Sequence, residues 1–343
     1  VPGTAPPNPA AIAVVTQVIY YLSLAIPLGI GMTVGALAIP ERHGGLVSRQ
    51  ARSLAVPAAV IVVAGATLQF HATTHVTGWT LVELAVLLSA AGGLLVLRRM
   101  PSRLLARAIG TAAILAAVIP RVPLASTTLS RIATNALVTA HLLCAMTWVG
   151  GLTVLAATAF AGRRIITRAG DDDRVAADWA QIWQRFSMVA LVAVGALVVS
   201  GTWLTWTHVG APSQFLTTPY GRFLAVKLVL VLALLGAGIY NVRVLLPRIH
   251  ALQRDGDTRG VFLLAAQHFP SVVAVEALVS IGVLTVVPFL RGSARNQAGW
   301  PSAAPFDLGT FGAGVALIAV VAAIMWAGAR RSFRPLQPSK PVP

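Results

Sequence analysis

The sequence predicts an all-α fold: a polytopic transmembrane helical bundle of about nine spans, N-terminus outside and C-terminus cytoplasmic. Three observations predict it. Of 343 residues, 57% are hydrophobic and only 10% are charged, against roughly a quarter charged in soluble domains. Apolar runs recur along the chain, and each is long enough to cross a bilayer as a helix, the form in which a spanning segment satisfies its own backbone. Most of the 26 Lys and Arg residues fall in alternate loops, as the positive-inside rule requires.

The spans are read from N- to C-terminus. The first, 10–39, is apolar throughout and contains GMTVGAL. The second, 53–71, is an Ala/Val run closed by Gln69, Phe70 and His71. The third, 78–97, starts after a Thr-rich turn and stops at Arg98 and Arg99. The fourth, 104–120, is the shortest and lies between Arg103 and Arg121. The fifth, 132–160, follows Arg131 and ends before Arg163 and Arg164. The sixth, 186–208, lies between Arg185 and the end of TWLTWTH. The seventh and eighth, 222–245 and 269–290, and the ninth, 310–328, are again bounded by arginines. The basic loops are 40–52, 98–107, 162–185 and 243–259, with the tail 330–343. The opposite loops hold only Arg121, Arg131, Arg222, Arg291 and Arg295.

Short internal likenesses divide the chain further. GMTVGAL in span one resembles GGLTVLA in span five, and GATLQF in span two resembles GTWLTW in span six. Two parallel four-helix halves follow, 1–134 and 135–292, with 293–343 supplying a linker, the ninth helix and a cytoplasmic tail. In that register Tyr21 stands where His141 does.

The formal charge of +16 does not indicate nucleic acid, because the basic residues are spread through short loops between spans. There is one cysteine, Cys144, so no intrachain disulfide forms. The residues show no phosphate-binding loop, dinucleotide fingerprint, nucleophile elbow or zinc-protease motif, and the chain is read as not an enzyme. The N-terminal residues lack the charged segment and cleavage site of a signal peptide.

Candidate chemistry centres on HLLCAMTWVGGL, 141–152. His141, Cys144 and Met146 place imidazole, thiol and thioether in a membrane span, a donor set that suits Cu(I). The plain alternative is one interhelical hydrogen bond from His141, with Cys144 and Met146 packed as apolar side chains. Gly150 and Gly151 allow close helix approach, and Trp148 can wall a pocket. Towards the outside, His71 and His75 are spaced to share a helix face, and His208 ends a span on the same side. His43, His250 and His268 fall on the inner side, as does the acidic run Asp171–Asp173, read as a solvated loop. Glu83, Lys227 and Glu276 are charges inside spans. Glu83 and Lys227 lie at similar depth and can form a structural ion pair, or serve as relay charges with Glu276. Met32 and Met188 can line a thioether path or act as filler.

Four stretches, in order, resemble the CopD family of bacterial copper-resistance membrane proteins, which includes the YcnJ-like importers. They are His141 with Trp148, Gly150, Gly151 and Leu152; RFSMVALVAVGALVVSGTWLTW, 185–206; TTPYGRFLAVKLVLVLALLGAGIYNVRVLLPRI, 217–249; and FPSVVAVEALVSIGVLTVV with Glu276. They span about 135–290, and His141, Trp148, Tyr220, Lys227 and Glu276 match family motif positions.

The resemblance implies a multi-pass protein of the bacterial plasma (inner) membrane that passes copper from the periplasmic side inward. It also implies a periplasmic copper-binding protein as partner. A CopD half is sometimes fused to a CtaG-like half that serves cytochrome oxidase copper assembly, and the Pro-rich end after Arg334 can begin such a linker. Unlike a copper-scavenging tail, VPGTAPPNPAA carries no His, Cys or Met. The expectation is copper binding at an outer site of His71, His75 and His208, with passage to His141, Cys144 and Met146. Acid weakens such binding because protons compete for imidazole. Two alternatives stay open: a scaffold working with a cytochrome oxidase assembly factor, and a b-type haem electron-transfer protein with histidine axial ligands.

Overall fold

The computed structural model describes residues 8–38, 45–121, 128–169, 172–240 and 269–331, with a few isolated residues between 243 and 251. His43, His250, His268, Asp171 and the Pro-rich end lie outside the described residues, as do the side chains of Asp172 and Asp173. Among the described residues the regular structure is helical, with no strand.

The long helices are α1 (Ala11–Met32), α3 (Ala55–Ala72), α4 (Gly78–Arg99), α5 (Arg103–Val118), α6 (Leu129–Ala169), α7 (Asp172–His208), α9 (Pro219–Tyr240), α10 (Phe269–Val286) and α12 (Leu308–Arg331). Shorter helices are α2 (Leu46–Ser53), α8 (Gln214–Thr217) and α11 (Ala294–Gln297). Eight segments are long and apolar enough to cross a membrane, matching the first eight expected spans. The ninth expected span is helical as α12, whose described apolar stretch is Leu308–Val320.

Three boundaries differ from the expectation. The inner loop 162–185 is mostly helix, because α6 and α7 run on past their apolar segments. Arg, Ala and Gln there are good helix formers once solvated. The loop 40–52 contains α2. The first span ends in a π-helical turn, Thr33–Leu37.

Helix α1 is the central post. It packs on α3, α5 and α6, while α4 closes a four-helix ring by packing on α3 and α5. On the other side, α6 is flanked by α7 and α10, and α9 packs on α10. Lipid tails offer no hydrophobic drive between helices, so close backbone approach must supply the attraction. The buried faces are accordingly small. Those of α5 are Ala106, Ile109, Gly110, Ala113, Ala116 and Ala117. Two crossings require glycine: a Cβ on Gly31 would sit 2.6 Å from the Ala106 carbonyl oxygen, and one on Gly150 only 2.0 Å from that of Ala25. The second crossing joins α1 to α6 and so positions the next residues up that helix.

Candidate metal site

His141 lies twelve positions into α6, about 18 Å along the helix, and points at α7. Its Nδ1 is 2.9 Å from Ser200 Oγ. The Ser200 hydroxyl donates to the Ala196 carbonyl at 2.6 Å. A serine has one hydrogen, so Ser200 accepts from His141, and Nδ1 carries the imidazole proton. In the neutral ring Nε2 then holds the lone pair. Gly201 provides room: a Cβ there would sit 3.3 Å from His141 Cε1.

His208 has the same arrangement at the C-terminal end of α7. Its Nδ1 lies 2.7 Å from the Leu204 carbonyl oxygen, which can only accept. Nδ1 is therefore the donor, which leaves Nε2 outside this bond. The ring stacks on Tyr220, with centroids 5.8 Å apart and planes 7° from parallel. Fixing a histidine through its other ring nitrogen is the usual support of a metal ligand. Ser200 to His208 is eight positions, ~12 Å of helix.

The loop motif in the α8–α9 corner explains itself structurally. Thr218 Oγ1 donates to the Gln214 carbonyl at 2.7 Å and accepts from Gly221 N–H at 3.0 Å. A Cβ on Gly221 would lie 1.9 Å from the Gln214 oxygen, so only glycine fits. Arg222 Nε donates to the Leu216 carbonyl at 2.7 Å. These bonds hold Tyr220 beneath His208.

A strap missed in the sequence lies across this end. Gln297 Oε1 accepts from Tyr220 N–H at 2.9 Å. Trp300 covers Gly210. Phe306 N–H donates to Ser130 Oγ at 2.8 Å, and the Phe306 ring meets Trp203 edge-on at 4.9 Å. The aromatic residues Trp300, Phe306 and Phe311 in the segment 296–311, between two spans, were the available signal.

Several expected groupings do not form. Helix α3 stops at Ala72, so His75 lies in the following link and does not share a helix face with His71. Both are exposed. Helix α3 packs on α1 and α4, and it shares no extended interface with α7. His71, His75 and His208 therefore do not converge.

Met146 is buried in the core formed with Tyr20, Leu24 and Ala25 of α1. Five residues along a helix turn it away from His141. Cys144 is a free, half-buried thiol one turn inward of His141. Trp148 packs in a lower cluster with Leu152, Phe186 and Met32, while Met188 is exposed. Among the described residues no group of three or more His, Cys, Asp or Glu side chains comes together at metal-binding spacing.

The expected Glu83–Lys227 pair is also replaced. Tyr20 donates its hydroxyl proton to Glu83 Oε1 at 2.6 Å, linking α1 to α4. Lys227, on α9, lies close enough to His141 for its charge to act there. Glu276 is buried on α10, where Ser280 donates to its backbone carbonyl at 2.8 Å. Neither Tyr20 nor Ser200 was singled out from the sequence. Each is a lone hydroxyl within an apolar run, and only its partner across the bundle distinguishes it.

Comparison with known proteins bears on the elements that hold Ser200, His208, Tyr220, Lys227 and Glu276, and not on α6 with His141 and Cys144. No curated protein and no solved structure matches the chain significantly. The family model described as Copper resistance protein D matches residues 180–290, which take in most of α7, the Tyr220 corner, α9 and α10. Over residues 180–290, about a third of its length, the chain is thus similar to the CopD family of copper resistance proteins, within a bundle whose helices are long and apolar enough to cross a membrane several times.

Proposed function

We propose that the protein binds copper from the outer side of the plasma membrane and passes it into the membrane along the α6–α7 pair, by ligand exchange and without catalysing a reaction. His208 Nε2 receives the ion at the outer end, and His141 Nε2 receives it deeper. Cys144 offers a soft donor one turn further in. This donor order favours Cu(I), for which imidazole and thiol are good ligands. Isolated donors, each with one fixed imidazole, suit transfer better than storage, which needs a closed three- or four-donor site. The Lys/Arg distribution supports the orientation of the path, with the His208 end outside. The strap over Tyr220 suits docking by a periplasmic copper-binding protein.

The observation that carries the reading is the His141–Ser200–Ala196 chain, which holds the His141 ring through Nδ1–H and leaves Nε2 as the nitrogen available to a metal ion. The test is elemental analysis and a visible spectrum on the same detergent-purified sample, before and after Cu(I) loading, for wild type, His141→Ala and His208→Ala. Copper retained by wild type and lost in His141→Ala supports the reading. Copper unaffected by either substitution overturns it. A Soret band with iron assigns the histidines to haem. Neither metal after loading, with an oxidase assembly factor co-purifying, assigns a scaffold role.

A further inference from the structure

The inner end of α1 carries more positive charge than its own structure needs. Its last turn is π-helical, Thr33–Leu37, and this widened turn leaves carbonyls facing outward. Three arginines converge on them. Arg103 donates through Nη2 to the Ala38 carbonyl. Arg107 Nε donates to the Gly35 carbonyl at 2.9 Å. Arg185 Nη1 donates to the Leu37 carbonyl at 3.0 Å. Gly35 is the residue that lets Arg107 in, since a Cβ there would lie 2.9 Å from the Arg107 Cγ.

A helix C-terminus presents roughly half a negative charge. Three guanidiniums bring three positive charges, so among the described side chains the cluster keeps a positive excess. Among the described residues the only carboxylate side chains are Glu83, Glu276 and Asp307. Glu83 is tied to Tyr20, Glu276 lies on α10, and Asp307 begins the last helix. Each guanidinium has five N–H donors in a planar fork and directs one of them at α1. Arg107 is exposed, and Arg103 and Arg185 are half-buried, so donors remain available at the rim.

Depth narrows the ligand. Arg103 and Arg107 lie in the first turns of α5, and the first membrane-crossing segment ends at Leu37, so the cluster sits at the ends of spanning helices, where lipid phosphates lie.

We propose that Arg103, Arg107 and Arg185 form a binding site for the phosphate group of an anionic membrane lipid. Basic pockets between transmembrane helices at this level suit such headgroups, and the guanidinium fork pairs with two phosphate oxygens at once. Arg103 and Arg107 come from α5, in the ring around α1. Arg185 comes from α7, within the matched family segment. A lipid phosphate held by all three joins the two sides of the bundle at their inner end.

The test uses the full chain, delipidated in neutral detergent. It is titrated with phosphatidylglycerol, phosphatidylcholine or inorganic phosphate. Retained lipid is counted by native mass spectrometry below the unfolding temperature, and thermal stability is read in parallel. The variants are Arg107→Gln, whose amide nitrogen stands where Nε donates to the Gly35 carbonyl, Arg185→Gln, which removes the longer Nη1 reach to Leu37, the two combined, and Arg222→Gln as a control at the other end.

The expected result is selective retention of phosphatidylglycerol, weakened about fivefold by each inner substitution and unchanged in Arg222→Gln. Arg107→Lys retains charge but loses the fork, and falls between wild type and Arg107→Gln. Equal retention of phosphatidylcholine overturns the proposal, as does undiminished phosphatidylglycerol binding in the double Gln variant. Inorganic phosphate that reproduces the whole stabilisation assigns the site to a soluble anion and overturns the lipid assignment.

Discussion

Replacing Ser200 by Ala separates a positioned imidazole from one that merely packs. In the native chain, His141 Nδ1–H reaches Ser200 Oγ at 2.9 Å, and Ser200 hands its own proton to Ala196 at 2.6 Å. Alanine removes the acceptor and leaves the half-buried His141 N–H without a partner, a loss of about 1–3 kcal/mol. The lost donation to Ala196 matters less, because that carbonyl already takes part in the helix. The imidazole then has no reason to keep its proton on Nδ1 or its Nε2 aimed in one direction. Loss of such support lowers metal affinity by roughly 10–100-fold. Affinity is read by competition between the purified protein and a Cu(I) chelator of known strength, with His141→Ala as the zero and Ser200→Thr as a variant that restores the hydroxyl. If Ser200→Ala binds copper within twofold of wild type while His141→Ala does not bind, the tautomer argument is refuted. Ser200 is then only a packing residue.

Other outcomes follow from the same geometry. Tyr20→Phe deprives buried Glu83 of its 2.6 Å donor and should cost about 1–3 kcal/mol, seen as a lower unfolding temperature without loss of copper from His141. Gly150→Ala forces a Cβ to within 2.0 Å of the Ala25 carbonyl. The α1–α6 crossing must open, at about 3 kcal/mol or more by overpacking, and the protein should elute as aggregate on size exclusion. Asp307 accepts from Thr310 N–H at 2.6 Å, and this bond holds its carboxyl below the usual carboxylate range. A lowered folded value means the helix start is supported at neutral pH and loosens as pH falls through that value. Amide exchange at Thr310 should therefore speed up in acid, and in Asp307→Asn it should lose this pH dependence.

The spans were legible because burial in lipid leaves a direct trace in composition. Residues 78–97 were read for a helix that runs Gly78–Arg99, and 104–120 for one that starts at Arg103 and ends in a short turn at Arg121. The polar inner extensions of α6 and α7 were not legible, because outside the membrane hydropathy no longer tells helix from loop. Side-chain partners were least legible of all. His141 stood out as an imidazole in an apolar run, but its partner is a serine 59 positions away. Glu83 and Lys227 looked matched by depth alone, and depth says nothing about which helices are neighbours. The interval between His71 and His75 suggested one face, but the helix ends at Ala72, one residue past His71.

The two sides of the bundle differ in a way that bears on where copper handling resides. The first, third, fourth and fifth helices close on one another around buried Ala and Gly, and their polar members, Tyr20 and Glu83, satisfy each other. A closed ring with its polar groups paired is a scaffold. On the other side, α9 packs on α10 rather than closing extensively on α7. The groups facing this more open side are a histidine with an unused nitrogen, a lysine whose charge is felt there, and a half-buried thiol on the same helix. Groups left with unused valence inside a membrane are costly to maintain and are kept where a ligand or ion completes them. The family match, 180–290, falls on α7, α9 and α10 of this more open side and not on α6, which carries His141 and Cys144. This is the distribution expected if the ring of α1, α3, α4 and α5 holds the open side in place while that side exchanges the ion.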